Sequence, residues 1–401
     1  MSDLGSMLTL EYGEAMPAEA RSGHGFPVFG SNGEVGRHHK YLISEPGIIV
    51  GRKGSVGKVT WSNEPFWPID TTYWVSCAPE DRRWFYWVLK WLPLTRLDSS
   101  TGVPGLNRND AYALTVDRPR LIERQQITQI LDTLDTAIHE TEAIIAKLKA
   151  VKQGLLHDLL TRGIDANGEL RPPQAEAPQL YKQSPLGWIP KEWDACELNS
   201  LIDLARPVVY GILMPGYGHR GGVPVVKVKD IVDDSIKLDD LLLTSPKIDR
   251  EYRRSRLRTG DLLFTIRGTV GRTALVPEQL EGANITQDTA RLAIKFSDVR
   301  FVKAYLSVHA AARFIAVNTL GVAVQGINLR DVRRIPLPKP DDDEAREIGN
   351  LLDSASQRLK DESSVLRKLA LTKVGLMDDL LTGRVRVTPL LDEAAQQQGS
   401  A

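Results

Sequence analysis

Between residues 121 and 162 the apolar positions are Ile127, Leu131, Leu134, Ile138, Ile145, Leu148, Leu155 and Leu159. The steps alternate four and three, with Thr141 and Lys152 as polar breaks at two positions of the series. Such spacing draws a heptad seam on one face of a long helix, and a seam of that kind needs a partner helix. The same series returns 221 residues later: Ile348, Leu352, Ala355, Leu359, Leu366, Leu369, Leu376 and Leu380, broken at Glu362 and Lys373. The endings correspond too, Lys152–Thr161 against Lys373–Thr382. The pattern predicts two long helices, 121–162 and 341–383, each roughly 60 Å long at about 1.5 Å per residue. The simplest architecture pairs them with each other, antiparallel.

A globular module precedes each helix. Residues 1–120 read as short strands and turns. Gly23, Gly25, Gly30, Gly33 and Gly36 punctuate the chain around Phe26–Phe29; Gly47–Val50 forms a short apolar strand, Phe66–Val75 a further strand, Trp84–Leu92 a buried aromatic helix and Gly102–Arg108 a glycine turn. Prolines at 172, 173, 178, 185 and 190 rule out regular structure over most of a linker at 163–190. Residues 191–340 then repeat the first module. Glu197–Leu204 aligns with Asp3–Leu10, Asp261–Phe264 with Gly47–Val50, Arg267–Arg272 with the loop after that strand, Asp288 with Asp70, and Gly326–Asp331 with Gly105–Asp110. A tail covers 384–401, with a frayed end.

Composition sharpens this picture in two places. The chain is formally neutral, with 51 basic and 51 acidic side chains. Residues 181–340 nevertheless hold 24 Lys and Arg against 17 Asp and Glu, so neutrality conceals one basic module. Cys77 and Cys196 stand alone, without metal-ligand spacing, as in a reducing compartment. No apolar run is long enough for a membrane span and no export signal opens the chain, so the expected location is the cytoplasm.

The glycine-rich loop Gly51–Lys58 first suggests a phosphate cradle. It lacks the Walker spacing, because Arg52 stands where a glycine is required and Val59 where a hydroxyl is required. Its alternative is a turn that brings backbone N–H groups and basic side chains against DNA. On that reading Arg52, Lys53, Ser55 and Lys58 contact DNA from the first loop, and Arg267, Thr269 and Arg272 from the second. An exposed hairpin with ordinary basic residues is the plainer alternative. Asn107, Arg108, Gln325, Asn328 and Arg330 carry donors suited to base edges, though the two Asn residues equally suit helix caps. Lys227 and Lys229, with Arg253, Arg254, Arg256 and Arg258, are candidates for phosphate contact or form a solvated basic face. Catalysis finds no support. The histidines lack metal-ligand partners, no nucleophile elbow or His-Glu-x-x-His occurs, and Asp70 and Asp288 are lone acids.

The order module–helix–module–helix resembles the specificity (S) subunit of a Type I restriction–modification system. So do the endings Lys-x-Gly-Leu-(Leu/Met)-x-Asp-Leu-Leu-Thr and the lead-in Pro185–Trp193. The resemblance implies an α+β fold: two mixed α/β target recognition domains separated by two long antiparallel coiled-coil helices, with an internal pseudo-two-fold repeat. It also implies double-stranded DNA as target, each domain reading half of a bipartite site. Two modification subunits and restriction subunits would be the partners. The chain would bind no cofactor or metal itself; S-adenosylmethionine, ATP and Mg2+ would belong to the partners. One departure stands out: the first module begins at Asp3 with no counterpart of Pro185–Trp193. Either the entry to that module is short or the residues beyond Thr382 supply its packing. Two other readings stay open, a specificity subunit of a Type II-like fused enzyme and a coiled-coil scaffold that binds protein.

Overall fold

The computed structural model describes residues 1–97, 105–295, 298–321 and 325–387. Gly102, Val103 and Pro104 of the expected turn and the end of the tail lie outside the described residues. The helices are α1 (Arg82–Trp91), α2 (Arg108–Tyr112), α3 (Leu121–Thr161), α4 (Pro246–Glu251), α5 (Val299–Leu306), α6 (His309–Asn318), α7 (Leu329–Arg333) and α8 (Asp342–Leu381). The heptad reading therefore places both long helices to within two residues at each end. Every seam position named above, polar breaks included, is buried or half-buried. The chain divides into two compact units, one made of 1–144 and the residues from 362 on, the other of 145–361.

In the first unit, strands Thr9–Tyr12, Thr72–Ser76, Gly47–Gly51 and Val59–Ser62 lie in that order in an antiparallel sheet. A second sheet runs Gly33–His38, Phe26–Gly30, Trp67–Pro68, with the last pair parallel. The strand expected over 66–75 is thus two strands. Between them Thr72 N–H and Oγ1 both donate to Ile69 O (2.9 and 2.7 Å), closing a turn that carries the chain from one sheet to the other. The core joins Leu10, Ile48, Val50 and Val75 of the sheet to Trp84, Phe85, Trp87 and Val88 of α1. Ile127 and Leu131 from the start of α3 enter the same core, as do Leu380 and Leu381 from the end of α8.

The second unit repeats the plan. Its four-stranded sheet runs Val209–Tyr210, Thr289–Leu292, Leu262–Thr265, Thr273–Leu275. Its three-stranded sheet runs Leu242–Thr244, Val223–Val226, Asn284–Ile285, again with the last pair parallel. Here Phe264, Leu292, Phe301 and Val302 pack with Leu159 and Leu160 from the end of α3 and with Ala345, Ile348 and Leu352 from the start of α8. Start meets end in one unit and end meets start in the other, which is the antiparallel arrangement.

Strand register corrects one alignment. Gly51 faces Thr72 and Thr265 faces Thr289, so Thr289 is the equivalent of Thr72 and Asp288 that of Thr71. Asp70 and Asp288 are not counterparts. The slip arises because the offset between the copies is 214 at Gly51/Thr265 but 217 at Thr72/Thr289, an insertion of three residues that local identity does not locate.

The linker is more ordered than its prolines suggest. Tyr181–Ser184 pairs with Gly187–Pro190 as a hairpin, and Trp193 beyond it is fully buried. The Trp193 indole N–H donates to Glu344 Oε2 at 2.8 Å, while Ile164 N–H (2.8 Å) and Arg171 (2.5 Å) engage Oε1. Glu123 holds the corresponding place on α3. Its partners are Val387 N–H (3.3 Å) and Arg386 (3.5 Å), so chain beyond Thr382 packs against the start of α3 in the first unit.

Candidate nucleic-acid interface

Each four-stranded sheet ends, on one side, in the basic loop. In the first module Gly51 N–H donates to Lys58 O and Gly57 N–H to Gly51 O, both at 2.8 Å. In the second, Thr265 N–H donates to Arg272 O (2.9 Å) and Gly271 N–H to Thr265 O (3.0 Å). Gly54 and Gly57 have φ of 78° and 71°, and Gly268 and Gly271 have 75° and 94°. Left-handed backbone at the same two positions explains why both loops keep their glycines while other side chains change.

The loop and the Gly-x-Asn turn meet in both modules. Lys53 bridges Gly105, and Arg267 bridges Gly326. Leu106 N–H donates to Arg52 O and Ile327 N–H to Ile266 O, each at 2.9 Å. This juxtaposition collects most of the candidate side chains. In the first module Arg52 donates to Asp70 O (3.0 and 2.7 Å), and its guanidinium lies 5.1 Å from the Tyr12 ring centre. Arg108 lies 4.6 Å from the same ring and donates to Leu10 O. Lys53 and Asn107 are exposed beside them. Ser55 is half-buried, and Lys58 turns away to Asn32 O and Oδ1, both at 2.8 Å. In the second module Arg267 donates to Gln287 Oε1 at 3.3 Å, with Thr269, Gln325, Asn328 and Arg330 exposed. Arg272 donates to Ile231 O at 3.1 Å, which brings the turn carrying Lys227 and Lys229 beside the loop.

The cap alternative holds for Asn107. Its carboxamide oxygen accepts Asn109 N–H at 2.9 Å at the start of α2. Asn328 occupies the same position before α7 but makes no side-chain cap.

The sequence reading overlooked a pair of tyrosines. Tyr12 faces Tyr73 and Tyr210 faces Ala290, so they are equivalent edge-strand residues, both about half exposed. Each is followed by a glycine held against backbone: a Cβ on Gly13 would meet Ile69 O at 2.3 Å, and one on Gly211 would meet Ile285 O at 1.9 Å. The repeated Tyr-Gly, with Met-Pro following at Met16-Pro17 and Met214-Pro215, was the available signal. Tyr73 beneath Tyr12 donates to Leu106 O at 3.2 Å, and burial together with Tyr12 raises its pKa to about 12.

Two sheets ending in glycine-pinned basic loops, on one scaffold used twice, can be set against known proteins. Residues 1–150 match the family described as Type I restriction modification DNA specificity domain. The Type I restriction enzyme EcoBI specificity subunit of Escherichia coli is 25% identical over 314 residues, 77% of this chain and 66% of that one. The chain resembles the Type I specificity subunits, most directly over its first module. The matched stretch spans just under two thirds of that relative's length. The S subunit of the Type I system of M. genitalium shares the fold, with a TM-score of 0.65 at 15% identity over 94% of this chain and 95% of that one. A chain from a structure described as complex assembly and conformational transition of the Type I system aligns at a TM-score of 0.50 and 16% identity, covering 96% and 97%. Among the described residues, no three His, Cys, Asp or Glu gather to hold a metal ion. No helix there is long and apolar enough to cross a membrane.

Proposed function

We propose that the chain reads a bipartite DNA site, one half with each module, and directs adenine methylation or cleavage by other subunits. The supporting observation is that two equivalent surfaces carry different side chains. Lys53 and Arg267 are equivalents, as are Ser55 and Thr269, Lys58 and Arg272, and Arg108 and Leu329. A shared scaffold with unlike contacts is what reading two unlike half-sites requires, since bidentate contacts discriminate bases by about 1–3 kcal/mol each. The long helices would set the gap between the halves. Partners would be two modification subunits, bringing S-adenosylmethionine, and restriction subunits, bringing ATP and Mg2+ chemistry; the chain itself would be non-catalytic and cytoplasmic. One matched structure is described as a Type I complex assembly, which supports such partners.

The test is the adenine methylation map of the host with and without this gene. Loss of one split motif is expected. Replacing residues 1–120 by another such module should then change one half only, and Arg267→Ala should weaken recognition of the other half. A map unchanged on deletion of an expressed, partnered chain would overturn the proposal.

A further inference from the structure

The second module has a cleft at the strand ends away from its basic loop. Leu262–Thr265 leads into that loop; the cleft lies at the other end, beside Asp261 and Arg258, about 13 Å away at roughly 3.3 Å per residue. Its volume is about 410 Å3, and its walls include Arg206, Arg253, Arg254, Arg256, Arg258 and Arg291, with Glu281 at the rim. The nearby acids answer only part of this charge. Asp261 binds Arg206 through two contacts of 2.7 Å and accepts Arg258 N–H at 2.7 Å. Asp249 is taken by Arg256, and Glu281 by Thr259 N–H and Oγ1 at 2.6 and 2.9 Å. Among the described residues, Arg253, Arg254, Arg258 and Arg291 form no ion pair.

Arg291 is the telling member. It is 3% exposed, donates from Nη2 to Pro207 O at 2.8 Å, and leaves Nε buried with no hydrogen-bond partner. Burial and the neighbouring Arg206 lower its pKa to about 10. The fold does not require a cation there: the equivalent residue in the first module is Trp74, which packs against Phe29, Ile49 and Phe66. An arginine buried among arginines, with a donor unused, is costly unless an anion completes the site.

We propose that this cleft binds a compact phosphate anion, with Arg253, Arg254, Arg258 and Arg291 as its donors. Guanidinium forks converging on one cleft suit a tetrahedral, multiply charged oxyanion better than a single carboxylate. The phosphate is either a free oligophosphate, as in a nucleotide, or a backbone phosphate of bound DNA. The site stands independently of the base-reading proposal.

The test uses the full chain, with inorganic pyrophosphate as probe in titration calorimetry at low salt, and non-specific duplex in a salt series. Arg253 and Arg254 are exposed, so R253Q/R254Q retains the fold; Lys40→Gln in the first module is the control. The double variant should bind pyrophosphate at least tenfold more weakly than wild type and the control. Where the source is DNA, the variant also lowers the slope of log K against log salt by about one to two, and pyrophosphate competes with duplex. Where it is a free phosphate, the slope holds and only pyrophosphate binding falls. Equal pyrophosphate affinity in wild type and variant, or none in wild type at millimolar concentration with an unchanged slope, would overturn the site. Loss of the methylation motif test with pyrophosphate binding intact would fault the base-reading proposal alone.

Discussion

Asp132 of α3 holds the Arg83 guanidinium of α1, with contacts of 2.8 to 3.1 Å, and also accepts the Trp87 indole N–H at 2.8 Å. The second unit repeats the tie with Arg300 and Asp353 at 3.3 Å. A module is thus pinned to its long helix at the same place twice, but with unequal shielding: Asp132 is 34% exposed and Asp353 56%. Asp132→Ala should therefore cost about 1–2 kcal/mol, after discounting for solvent, and Asp353→Ala less than about 1 kcal/mol. Urea midpoints of the two variants check this. Equal losses would mean that exposure does not set the strength of the tie.

Lys373 interrupts the seam yet is well shielded. It pairs with Asp135 of α3 and lies 4.7 Å from the Trp87 ring centre, with both charged side chains under one fifth exposed. Removing one partner strands the other, so Lys373→Ala should destabilise by about 2–3 kcal/mol. Lys373→Leu combined with Asp135→Leu should recover most of that. A double-mutant cycle reads the coupling, and additive losses would show that the pair contributes nothing specific.

Gly57 and Gly268 separate two reasons for a loop glycine. Gly268 has φ of 75° and open space around a Cβ, so Gly268→Ala should cost only the left-handed penalty of about 1–2 kcal/mol. A Cβ on Gly57 would also meet Leu94 C at 2.5 Å and Thr95 N at 2.6 Å. Backbone cannot swing aside as a side chain does, so Gly57→Ala should cost about 3 kcal/mol or more. Thermal midpoints rank the two, and the opposite order would refute the crowding argument.

Tyr73 makes stability sensitive to alkali. Its folded pKa of about 12 lies above the ordinary 10, and the phenol is 3% exposed. The neutral form is the favoured one in the fold. Its contribution is complete below pH 10 and is lost as pH rises toward 12, by about 2–3 kcal/mol at most. Tyr73→Phe should lessen the stability loss across pH 10–12, part of the rest coming from Tyr305, which burial likewise raises to about 12. Phenolate absorbance in the wild type should show at least two tyrosines titrating above the usual 10. An unchanged slope in the variant would assign the alkaline loss to other groups.

The chain by itself determined the periodic and the repeated. Heptad spacing placed α3 and α8, because a seam facing one partner stamps a fixed period on the residues, and 221-residue recurrence exposed the two-module plan. Glycines that need left-handed backbone marked both basic loops. What tertiary structure alone decided was which residues from distant strands meet. Strand register showed that Asp288 corresponds to Thr71 and not to Asp70, because the offset between the copies changes from 214 to 217 between the loop and that strand, and only pairing locates the change. It set Tyr12 beside Arg52 and Arg108, and Tyr210 at the equivalent edge strand of the second module. It also placed Arg291 where the first module has Trp74, and only the folding of segments around 206, 253–258 and 281 made a cleft of it. Period is written locally by which face is buried, whereas a site is a convergence of side chains from separate segments, and no spacing in one dimension encodes that.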